Sequence, residues 1–517
     1  MSRKYKITHL MNSARLSVAI AAGAVLCACA VGPDYKKPVT AAETAYKENS
    51  DWKQAQPGDA IKRGAWWEAF GDTTLNELEQ QVDAANQSLV QAEAQYRQAS
   101  ALVSGARANY FPTVGVSASA TRSGRYGNSG SIISGGTVIG STTSTTTNTG
   151  SSHPSNNYSL PFTASWEPDL WGKVRRTVEE QAANAQASAA TLESMRLSLH
   201  AELAQDYFQL RIVDEQKRLL VDTVEAYRKS LQLTMNQYNV GVAARADVVQ
   251  ADTQLKTAQV QAIDLGISRA QLEHAIALLV GKTPADMSIA TRALTVQPPE
   301  IPAGLASQLL ERRPDVAVAE RQAAAANAQI GIAESAYFPS LTLSTEGGYQ
   351  SSSFSQWLTA PSRFWSLGPQ LAETLFDGGA RRAQTGQARA AYDAAVANYR
   401  EVALAAFQDV EDNLAALRIL ESEAAAQAEA VKAAEEALKI VTNQYRAGTV
   451  SYLNVITAQA TAYSNERNAI SILGTRLTDS VALVKALGGG WSDADLPSAA
   501  QTATAWKNPP AQSQPQK

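Results

Sequence analysis

Apolar side chains in the middle of the chain are spaced as in a coiled coil. They recur at Leu192, Met195, Leu199, Leu203, Tyr207, Leu210, Val213, Leu220, Val224, Tyr227, Leu231, Met235 and Tyr238. With Lys217 filling one gap, these 46 residues contain 13 steps of about 3.5 residues, the coiled-coil period. The stretch from Lys173 to Tyr238 has no proline or glycine. It predicts a helix of roughly 100 Å that packs along its length against other helices.

This stretch has a second copy later in the chain. The segment Gln237–Gly241 matches Gln444–Gly448 at an offset of 207 positions, and Tyr110–Pro112 matches Tyr337–Pro339 at an offset of 227. The chain therefore reads as a tandem duplication, in which the first copy carries about 20 extra residues between the two markers.

In both copies the apolar period changes to two after the Tyr-Phe-Pro marker. The alternating positions are Val114, Val116, Ala118, Ala120, Tyr158, Leu160, Phe162, Ala164 and Trp166, then Leu341, Leu343, Thr345, Tyr349, Trp365, Leu367, Pro369 and Leu371. Residues 123–159 are almost all Ser, Thr, Gly and Asn, which indicates a long surface loop. Strands of about ten residues with one apolar and one polar face fit a membrane barrel. Hairpins that cover a soluble core remain the alternative.

Four such strands cannot close a barrel, and open sheet edges are not tolerated in lipid. Three copies would supply 12 strands, enough for an open lumen. The predicted fold class is an α+β membrane protein: a trimeric shared 12-stranded β-barrel, with four strands per chain, and a long α-helical barrel formed by the side-by-side helices.

A second helix is expected after each long one, at about Arg245–Leu279 and Ser451–Leu487, with Gly241 and Gly448 at positive φ in the turns. The expected segments are a signal peptide (1–28), a lipid-anchored irregular segment (29–72), a first repeat (73–281), a connection (282–312), a second repeat (313–488) and a flexible C-terminal tail (489–517). An N-cap is expected at Asp72 or Thr73, and a helix break near Ala85-Asn86.

Composition changes the picture only by exclusion. The 45 Lys and Arg residues against 49 Asp and Glu residues give a formal charge of −4, which offers no basic face for nucleic acid. Apart from the N-terminus, no apolar run is long enough for a membrane-spanning helix.

The N-terminus is typical of a bacterial lipoprotein signal. Basic residues precede an apolar core from Leu16 to Leu26, and Leu26-Cys27-Ala28-Cys29 resembles a lipobox with Cys29 as the lipidated residue. Cys27 is the poorer candidate because Leu26 would then stand at −1. Cleavage before Cys29 leaves no second cysteine for a disulfide. A soluble secreted protein with a chance cysteine is the alternative.

The sequence contains no catalytic motif. His9 leaves with the signal, His153 lies in the loop, and His200 and His274 stand alone on helices, where an ordinary helical role is expected. No zinc-protease, phosphate-loop, CxxC or GxSxG pattern occurs. We therefore expect no enzyme activity and no cofactor or metal beyond a covalent lipid on Cys29.

Acidic residues near the helix turns have two interpretations. In a trimer, Asp247 and Asp252 would each form a ring of three carboxylates, which could gate or select cations. Alternatively, Asp247 only supports the start of its helix through the helix dipole. The second-copy positions are taken as Asn454 and Thr457, which are uncharged, so a gate there would depend on packing and hydrogen bonds.

Together these residues resemble the TolC-like outer membrane factors, in the lipoprotein branch of NodT or OprM type. The resemblance covers nearly all of the mature chain. It is carried, in order, by Cys29 with Gly32-Pro33-Asp34-Tyr35, Trp66-Trp67, Phe70-Gly71-Asp72, Tyr110-Phe111-Pro112, Asp169-Leu170-Trp171-Gly172-Lys173, Arg312-Arg313-Pro314-Asp315-Val316, Tyr337-Phe338-Pro339 and Phe376-Asp377-Gly378-Gly379.

The resemblance implies a homotrimeric exit channel, lipid-anchored in the outer membrane and extending into the periplasm. A periplasmic adaptor and an inner-membrane pump of the RND type would deliver drugs or other toxic compounds to it. The adaptor would contact the turns at Val240, Gly241, Ala447 and Gly448, and the same end would open by untwisting of the helices. Family members often carry aspartates in the second turn, where this chain has Asn454 and Thr457.

Two other functions are compatible with parts of the sequence. The first is the related outlet of a type I protein secretion system. The second is a structural coiled-coil lipoprotein without a pore, which the four alternating strands disfavour. The sequence therefore favours a passive efflux channel over both.

Overall fold

The computed structural model describes residues 30–40, 47, 65–124, 154–299, 301 and 309–507. The predicted signal peptide and Cys29 lie outside these residues, as do most of the long polar loop and the last ten residues. The chain divides into two compact units. One, the sheet unit, comprises the described residues up to Pro33 with Ser104–Val178 and Ala328–Ala388; the other, the helical unit, comprises the remainder.

Seven helices longer than one turn occur in the described residues. They are α1 (Thr73–Ala85), α2 (Gln87–Ala108), α3 (Lys173–Asn239), α4 (Arg245–Leu279), α5 (Pro314–Ser335), α6 (Ala380–Arg446) and α7 (Tyr452–Ala486). The long helix predicted from Lys173 is thus present as α3, whose 67 residues extend about 100 Å. None of the described helices is apolar enough over a sufficient length to cross a membrane.

Six of these helices form three pairs of equal length. Helices α3 and α6 have 67 residues each and begin 207 positions apart, and α4 and α7 have 35 residues each at the same offset. Helices α2 and α5 have 22 residues each and begin 227 positions apart. Both offsets are those of the sequence markers, so the helix lengths are as expected for a duplicated unit.

Side-chain caps set the first helix boundaries where the sequence predicts them. The Asp72 carboxylate accepts hydrogen bonds from the Thr74 and Leu75 N–H groups, at 2.8 and 3.2 Å, and so starts α1. Asn86 separates α1 from α2: its Oδ1 accepts from the Ser88 N–H at 2.9 Å, and its Nδ2 donates to the Leu279 carbonyl at 2.8 Å. The side chain of Asn86 therefore makes the break near Ala85-Asn86.

The sheet is antiparallel and lies in the sheet unit. Its strands are β1 (Thr113–Val116), β2 (Ser119–Ser123), β3 (Ser155–Trp166), β4 (Ser340–Ser351) and β5 (Arg363–Ala372). The order is β1-β3-β4-β5, and β2 also pairs with β3.

The first predicted strand is interrupted at Ser117-Ala118, so it appears as β1 and β2. Both parts keep the same register on β3, with Val116 opposite Phe162 and Ser119 opposite Ser159. Pro161 lies opposite the interruption and has no N–H to donate to the ladder, although its carbonyl accepts from the Ser117 N–H at 3.2 Å. The described strands thus match the four predicted, with one local break.

The register aligns the alternating side chains of all strands into two faces. Phe162 lies opposite Val116 on β1 and Gly347 on β4, and Gly347 lies opposite Trp365 on β5. The apolar face contains Val114, Val116, Tyr158, Leu160, Phe162, Trp166, Leu341, Leu343, Tyr349, Trp365, Leu367 and Leu371. The other face is rich in Ser, Thr, Asn, Gln and Gly. Trp365 is 81% exposed and Leu367 is 72% exposed, so a large part of the apolar face is uncovered by the described residues.

The main hydrophobic core lies in the helical unit. It combines the 3₁₀-helix Trp66–Phe70 with side chains of α1, α3, α4, α5, α6 and α7, among them the fully buried Leu75 and Tyr207. The Tyr207 hydroxyl donates to Asp72 at 2.7 Å, which joins the cap of α1 to α3.

The described part of the tail contradicts the prediction of a flexible segment from residue 489. It forms short helices at Asp493–Asp495, Ala499–Thr502 and Ala505–Lys507. The Ser100 hydroxyl of α2 donates to the Thr502 carbonyl and accepts from the Trp506 N–H at 3.0 Å. Thr502 is buried, and Ala503 packs with Val103. The composition of the tail, rich in Pro, Gln and Ala, does not indicate these contacts, because they depend on where α2 lies in the fold.

Candidate gate and docking surfaces at the helix turns

The turns that join α3 to α4 and α6 to α7 have the same backbone geometry. Gly241 has a φ of 80° and Gly448 a φ of 73°, the left-handed conformation predicted for both. The Val242 N–H donates to the Gln237 carbonyl at 2.8 Å, and the Thr449 N–H donates to the Gln444 carbonyl at 3.0 Å. Each pair of long helices is therefore a hairpin closed by a glycine turn.

The four residues predicted to contact an adaptor are exposed in the described chain. Val240 and Gly241 lie at the tip of the first turn, and Ala447 and Gly448 lie at the tip of the second. Val240 and Val242 place two apolar side chains in solvent at the first turn. These surfaces are accessible to a partner, and adaptor docking on them remains a prediction.

Asp247 is engaged at the start of α4. Its Oδ2 accepts a hydrogen bond from the Ala244 N–H at 3.2 Å, so the carboxylate serves as an N-terminal cap. Asp252 is exposed one turn further along. The contacts within the chain thus give Asp247 a capping role, and a ring of carboxylates remains a prediction.

The structure corrects the second-copy partner of Asp252. At the offset of 207 between α4 and α7, Asp252 corresponds to Gln459 and not to Thr457. Asn454 and Thr457 are both exposed, and the Thr457 hydroxyl donates to the Leu453 carbonyl of its own helix at 3.0 Å. Neither side chain takes part in packing between the hairpins.

Gln459 and Tyr445 instead connect the second hairpin to the first. The Gln459 Nε2 donates to the Ser230 hydroxyl at 2.9 Å, and the Tyr445 hydroxyl donates to the Thr234 Oγ1 at 3.2 Å. Gln459, Tyr445 and Thr234 are buried. These two hydrogen bonds, the hairpin bridges, are expensive to leave unmade because their donors would lose water without gaining a partner.

An apolar group surrounds the hairpin bridges. Ala251, Tyr445, Tyr452 and Val455 are buried together near the turns, and we call them the turn cluster. The rings of Tyr445 and Tyr452 are 5.3 Å apart at an interplanar angle of 51°. Burial raises the pKa of Tyr452 to about 12, so its hydroxyl stays neutral at any physiological pH. The turn cluster therefore holds the two hairpins together by apolar contact.

His200 is not the ordinary helix residue that the sequence predicts. Its Nδ1 lies 2.6 Å from the Glu79 Oε2, its Nε2 lies 3.3 Å from the Asp83 Oδ1, and Trp67 stacks on the ring at 4.5 Å. Glu79 and Asp83 share one face of α1 because they are four positions apart. His200, Glu79 and Asp83, which we call the histidine cluster, connect α1 to α3. His274 is exposed, as expected.

Burial and pairing shift the protonation of the histidine cluster. Burial alone would lower the pKa of His200, but its hydrogen bonds with Asp83 and Glu79 outweigh this and raise the pKa to about 9. Burial raises the pKa of Glu79 to about 7 in spite of the His200 partner. Burial opposes ionisation of Asp83, but hydrogen bonds and charge from His200 and Arg196 lower its pKa overall. His200 is thus a cation at neutral pH.

Several motifs that carry the family resemblance start helices or clamp them. Asp169 accepts from the Val174 and Arg175 N–H groups at the start of α3, and Asp377 accepts from the Gly379 N–H before α6. The Arg313 guanidinium binds Asp315 at 2.6 Å, Asp409 at 3.0 Å and the Ala486 carbonyl at 3.2 Å, so it joins α5, α6 and α7. These motifs fix the scaffold and do not form a reaction centre.

Comparison with known proteins identifies the family. The profile described as outer membrane efflux protein matches residues 78–282 and 305–489. The chain belongs to the outer membrane efflux protein family. Proteins of this family are outer membrane channels and not enzymes, and this member is an efflux protein of the outer membrane.

Relatives of known name and structure cover almost the whole chain. The toluene efflux pump outer membrane protein TtgC of Pseudomonas putida is 30% identical over 491 residues, which span 93% of this chain and 96% of TtgC. Nodulation protein T of Rhizobium leguminosarum is 30% identical over 96% of this chain and 97% of its own. The outer-membrane channel OprN, also 30% identical, superposes with a TM-score of 0.80 over 90% of this chain and 100% of OprN.

Proposed function

We propose that this protein is the exit channel of a tripartite efflux system and passively conducts toxic small molecules out of the cell. Three chains would share a 12-stranded barrel in the outer membrane and continue into a periplasmic tunnel of long helices. The observation that carries this proposal is the two-faced sheet, whose apolar face is uncovered and whose outer strands β1 and β5 each have one unpaired edge among the described strands.

Such a sheet is unstable in water or lipid as a single copy. Exposed backbone donors and acceptors have no partners in hydrocarbon, so the edges of β1 and β5 must pair with further strands. Pairing β5 of one chain with β1 and β2 of the next would close a barrel with the apolar face toward lipid. The Ser-rich and Thr-rich face would then line a wet lumen. A homotrimer also agrees with the duplication that we infer from the equal helix lengths.

Partners follow from the same arrangement. A periplasmic adaptor would bind the exposed turn tips at Val240, Gly241, Ala447 and Gly448, and an inner-membrane pump of the RND type would supply the energy. TtgC is named as part of a toluene efflux pump, which supports hydrophobic toxic compounds as the substrate class here.

The gate would lie at the turns. In the closed state the hairpin bridges and the turn cluster hold the second hairpin against the first, and opening would separate them. Asp247, Asp252, Asn454 and Thr457 would border this end of the tunnel, where Asp247 keeps its capping role. A lipid on Cys29 would anchor each chain to the outer membrane, since multiply acylated cysteines bind membranes stably.

Single-channel conductance of the acylated protein in planar bilayers tests the proposal. A small, cation-favouring conductance that rises in Asp247→Ala would support both the tunnel and a gate at the turns. A wide pore that is unchanged in Asp247→Ala would keep the channel and eliminate Asp247 as a gate residue. No conductance together with a monomeric mass would contradict the channel.

A deletion strain separates this function from protein secretion. Loss of the gene should raise sensitivity to hydrophobic toxic compounds and leave secreted polypeptides unchanged. The opposite phenotype would favour the outlet of a type I secretion system.

A further inference from the structure

The first described residues of the chain are held on the sheet unit by specific contacts. The Val31 N–H donates to the Trp171 carbonyl at 3.1 Å. The Arg176 guanidinium donates to the Val31 carbonyl at 3.2 Å and to the Gly32 carbonyl at 3.0 Å. Arg176 is only 3% exposed, so this cation is buried against backbone carbonyls. A buried cation is costly unless its hydrogen bonds are made, which ties Arg176 to this segment.

Glycines make room for the segment on α3 and α5. Gly32 has a φ of 95° and lies so close to Gly331 of α5 that a side chain on Gly32 would collide with the Gly331 backbone. A side chain at Gly331 would meet Arg176 at 2.9 Å and the Val31 carbonyl at 3.0 Å. Before α3, Gly172 has a φ of 80°, and a side chain there would meet Ala30 at 3.0 Å. The surface is thus shaped for close approach of the backbone of residues 30–32.

The next residues continue this attachment within the helical unit. The Tyr35 hydroxyl donates to the Glu320 carboxylate at 2.7 Å, and its ring packs against Ala183, Ala324 and Ala325. We call residues 30–35 the strap. In a segment that the sequence predicts to be irregular, each of these contacts is to a residue of α3 or α5, or to the turn before α3.

The strap begins one residue after the predicted lipidated cysteine. Two residues of chain span at most about 7 Å, so a docked Val31 would limit a lipid attached at position 29 to a small part of the surface. A free tether from Tyr35 would instead reach roughly 20 Å. Docking of the strap therefore decides whether a lipid on Cys29 is held at the surface of the sheet unit or is joined to it by a flexible tether.

We propose that the groove formed by Arg176, Gly172 and Gly331 is a docking site for the strap, and that it would hold a lipid on Cys29 beside the start of α3. This inference rests on the lipid anchor of the proposed function. Fixing the anchor holds the sheet unit at a constant depth in the membrane while its strand edges pair with those of other copies.

Hydrogen exchange of the full-length acylated protein in detergent tests the docking. The Val31 amide in the peptic lipopeptide should exchange about tenfold or more slowly than in an unstructured peptide. Arg176→Gln should remove this protection. Arg175→Gln, a change of the exposed neighbouring arginine, should leave it intact. Fast exchange of Val31 in the unmodified protein would overturn the docking site.

A pair of insertions tests the role of the anchor. Four residues, Gly-Ser-Gly-Ser, inserted after Ala30 would add about 14 Å of chain between position 29 and the docked Val31. We expect this to lower the yield of trimer in the outer membrane by about threefold, and Arg176→Gln to do the same. The same insertion after Val39 lies on the far side of the strap and should have no effect. Equal yields from the two insertions would overturn the role.

Two controls separate this inference from the proposed function. Incorporation of labelled palmitate reports whether Cys29 is acylated in every variant. If no label is incorporated, the lipid anchor and its proposed role are both contradicted. Hydrogen exchange of the Val31 amide still tests the docking of the strap in that case. Conductance of the trimers that do form should be unchanged, because the strap is not part of the turns.

Discussion

The two hairpin turns have the same backbone but opposite surroundings. Tyr238 in the first hairpin is 43% exposed, whereas Tyr445, its equivalent 207 positions later, is 6% exposed. Arg245 at the start of α4 is exposed, and its equivalent Tyr452 is buried. The two equivalent hairpins thus expose these two positions beside the first turn and bury them beside the second, although both turn tips are exposed.

This difference separates two tasks, one for each hairpin. Aromatic side chains beside the second turn belong to the turn cluster and the hairpin bridges, which hold the two hairpins against each other. The first turn keeps Val240 and Val242 exposed, which leaves apolar surface for another molecule. Substitutions at equivalent positions should therefore have unequal effects.

The largest asymmetry is expected at the start of the second helix of each hairpin. Tyr452→Ala removes a buried aromatic side chain from the turn cluster and should cost about 3–4 kcal/mol, whereas Arg245→Ala should be close to neutral. Hydrogen exchange in the first turns of α7 measures the local opening. Equal protection of the α7 amides in both variants would show that the turn cluster does not hold the two hairpins together.

A pH series distinguishes the turns from the rest of the helical unit. The pKa of His200 is raised to about 9 and that of Glu79 to about 7. Both groups therefore stabilise the fold fully at pH values below their unfolded pKa values, and this stability is lost as the pH rises through about 7 and then 9. Asp83, whose pKa is lowered, contributes the opposite dependence only in strong acid.

We expect a loss of the order of 2 kcal/mol in the helical unit between pH 5 and pH 9.5. Thermal unfolding measured across this range should show a falling midpoint, and His200→Gln should remove the part of the fall that belongs to His200 while the part that belongs to Glu79 remains. Hydrogen exchange at the turns should follow the pH only through its intrinsic chemistry. A midpoint that rises with pH would contradict the assigned protonation of His200.

A smaller asymmetry is expected for the two equivalent tyrosines. Tyr445→Phe removes the hydroxyl that binds Thr234 and leaves that partner buried, which should cost about 1 kcal/mol. Tyr238→Phe should change nothing measurable. The open probability in planar bilayers should rise only in Tyr445→Phe, and a rise in both variants would show that the hairpin bridge at Thr234 does not hold the closed state.

The smallest effect is expected from the caps. Asp247→Ala deletes the acceptor for the Ala244 N–H and should destabilise the start of α4 by about 0.5–1 kcal/mol. Asn454→Ala at the equivalent position should cost less, since Asn454 is exposed and makes no such bond to the turn. Hydrogen exchange in the first turns of α4 and α7 compares the two variants. An equal loss of protection in both would refute the capping role of Asp247.

Periodicity and turn chemistry suffice to predict the parts of this fold that depend on local sequence. The 3.5-residue spacing locates α3, Gly241 and Gly448 locate the turns, and Asp72 and Asn86 locate the boundaries of α1. The break between β1 and β2 depends on Pro161 in the opposite strand, so it is invisible until strands are paired.

The site itself could be predicted only in outline. Tyr238 and Tyr445 occur in nearly identical segments, so the sequence does not reveal which one is buried. His200 lies 121 residues from Glu79, and no local pattern connects them. The expectation that Thr457 corresponds to Asp252 is wrong, because the offset of 207 leads from Asp252 to Gln459.

The edges of β1 and β5, which no other described strand pairs, have a kinetic consequence. If neighbouring chains complete the sheet, its formation is not a first-order process, and its rate depends on how often partly folded chains meet. At low expression, chains would wait longer with an uncovered apolar face, and periplasmic chaperones would compete for them. Assembly yield should therefore rise more steeply than chain concentration, until aggregation through the same edges sets an upper limit.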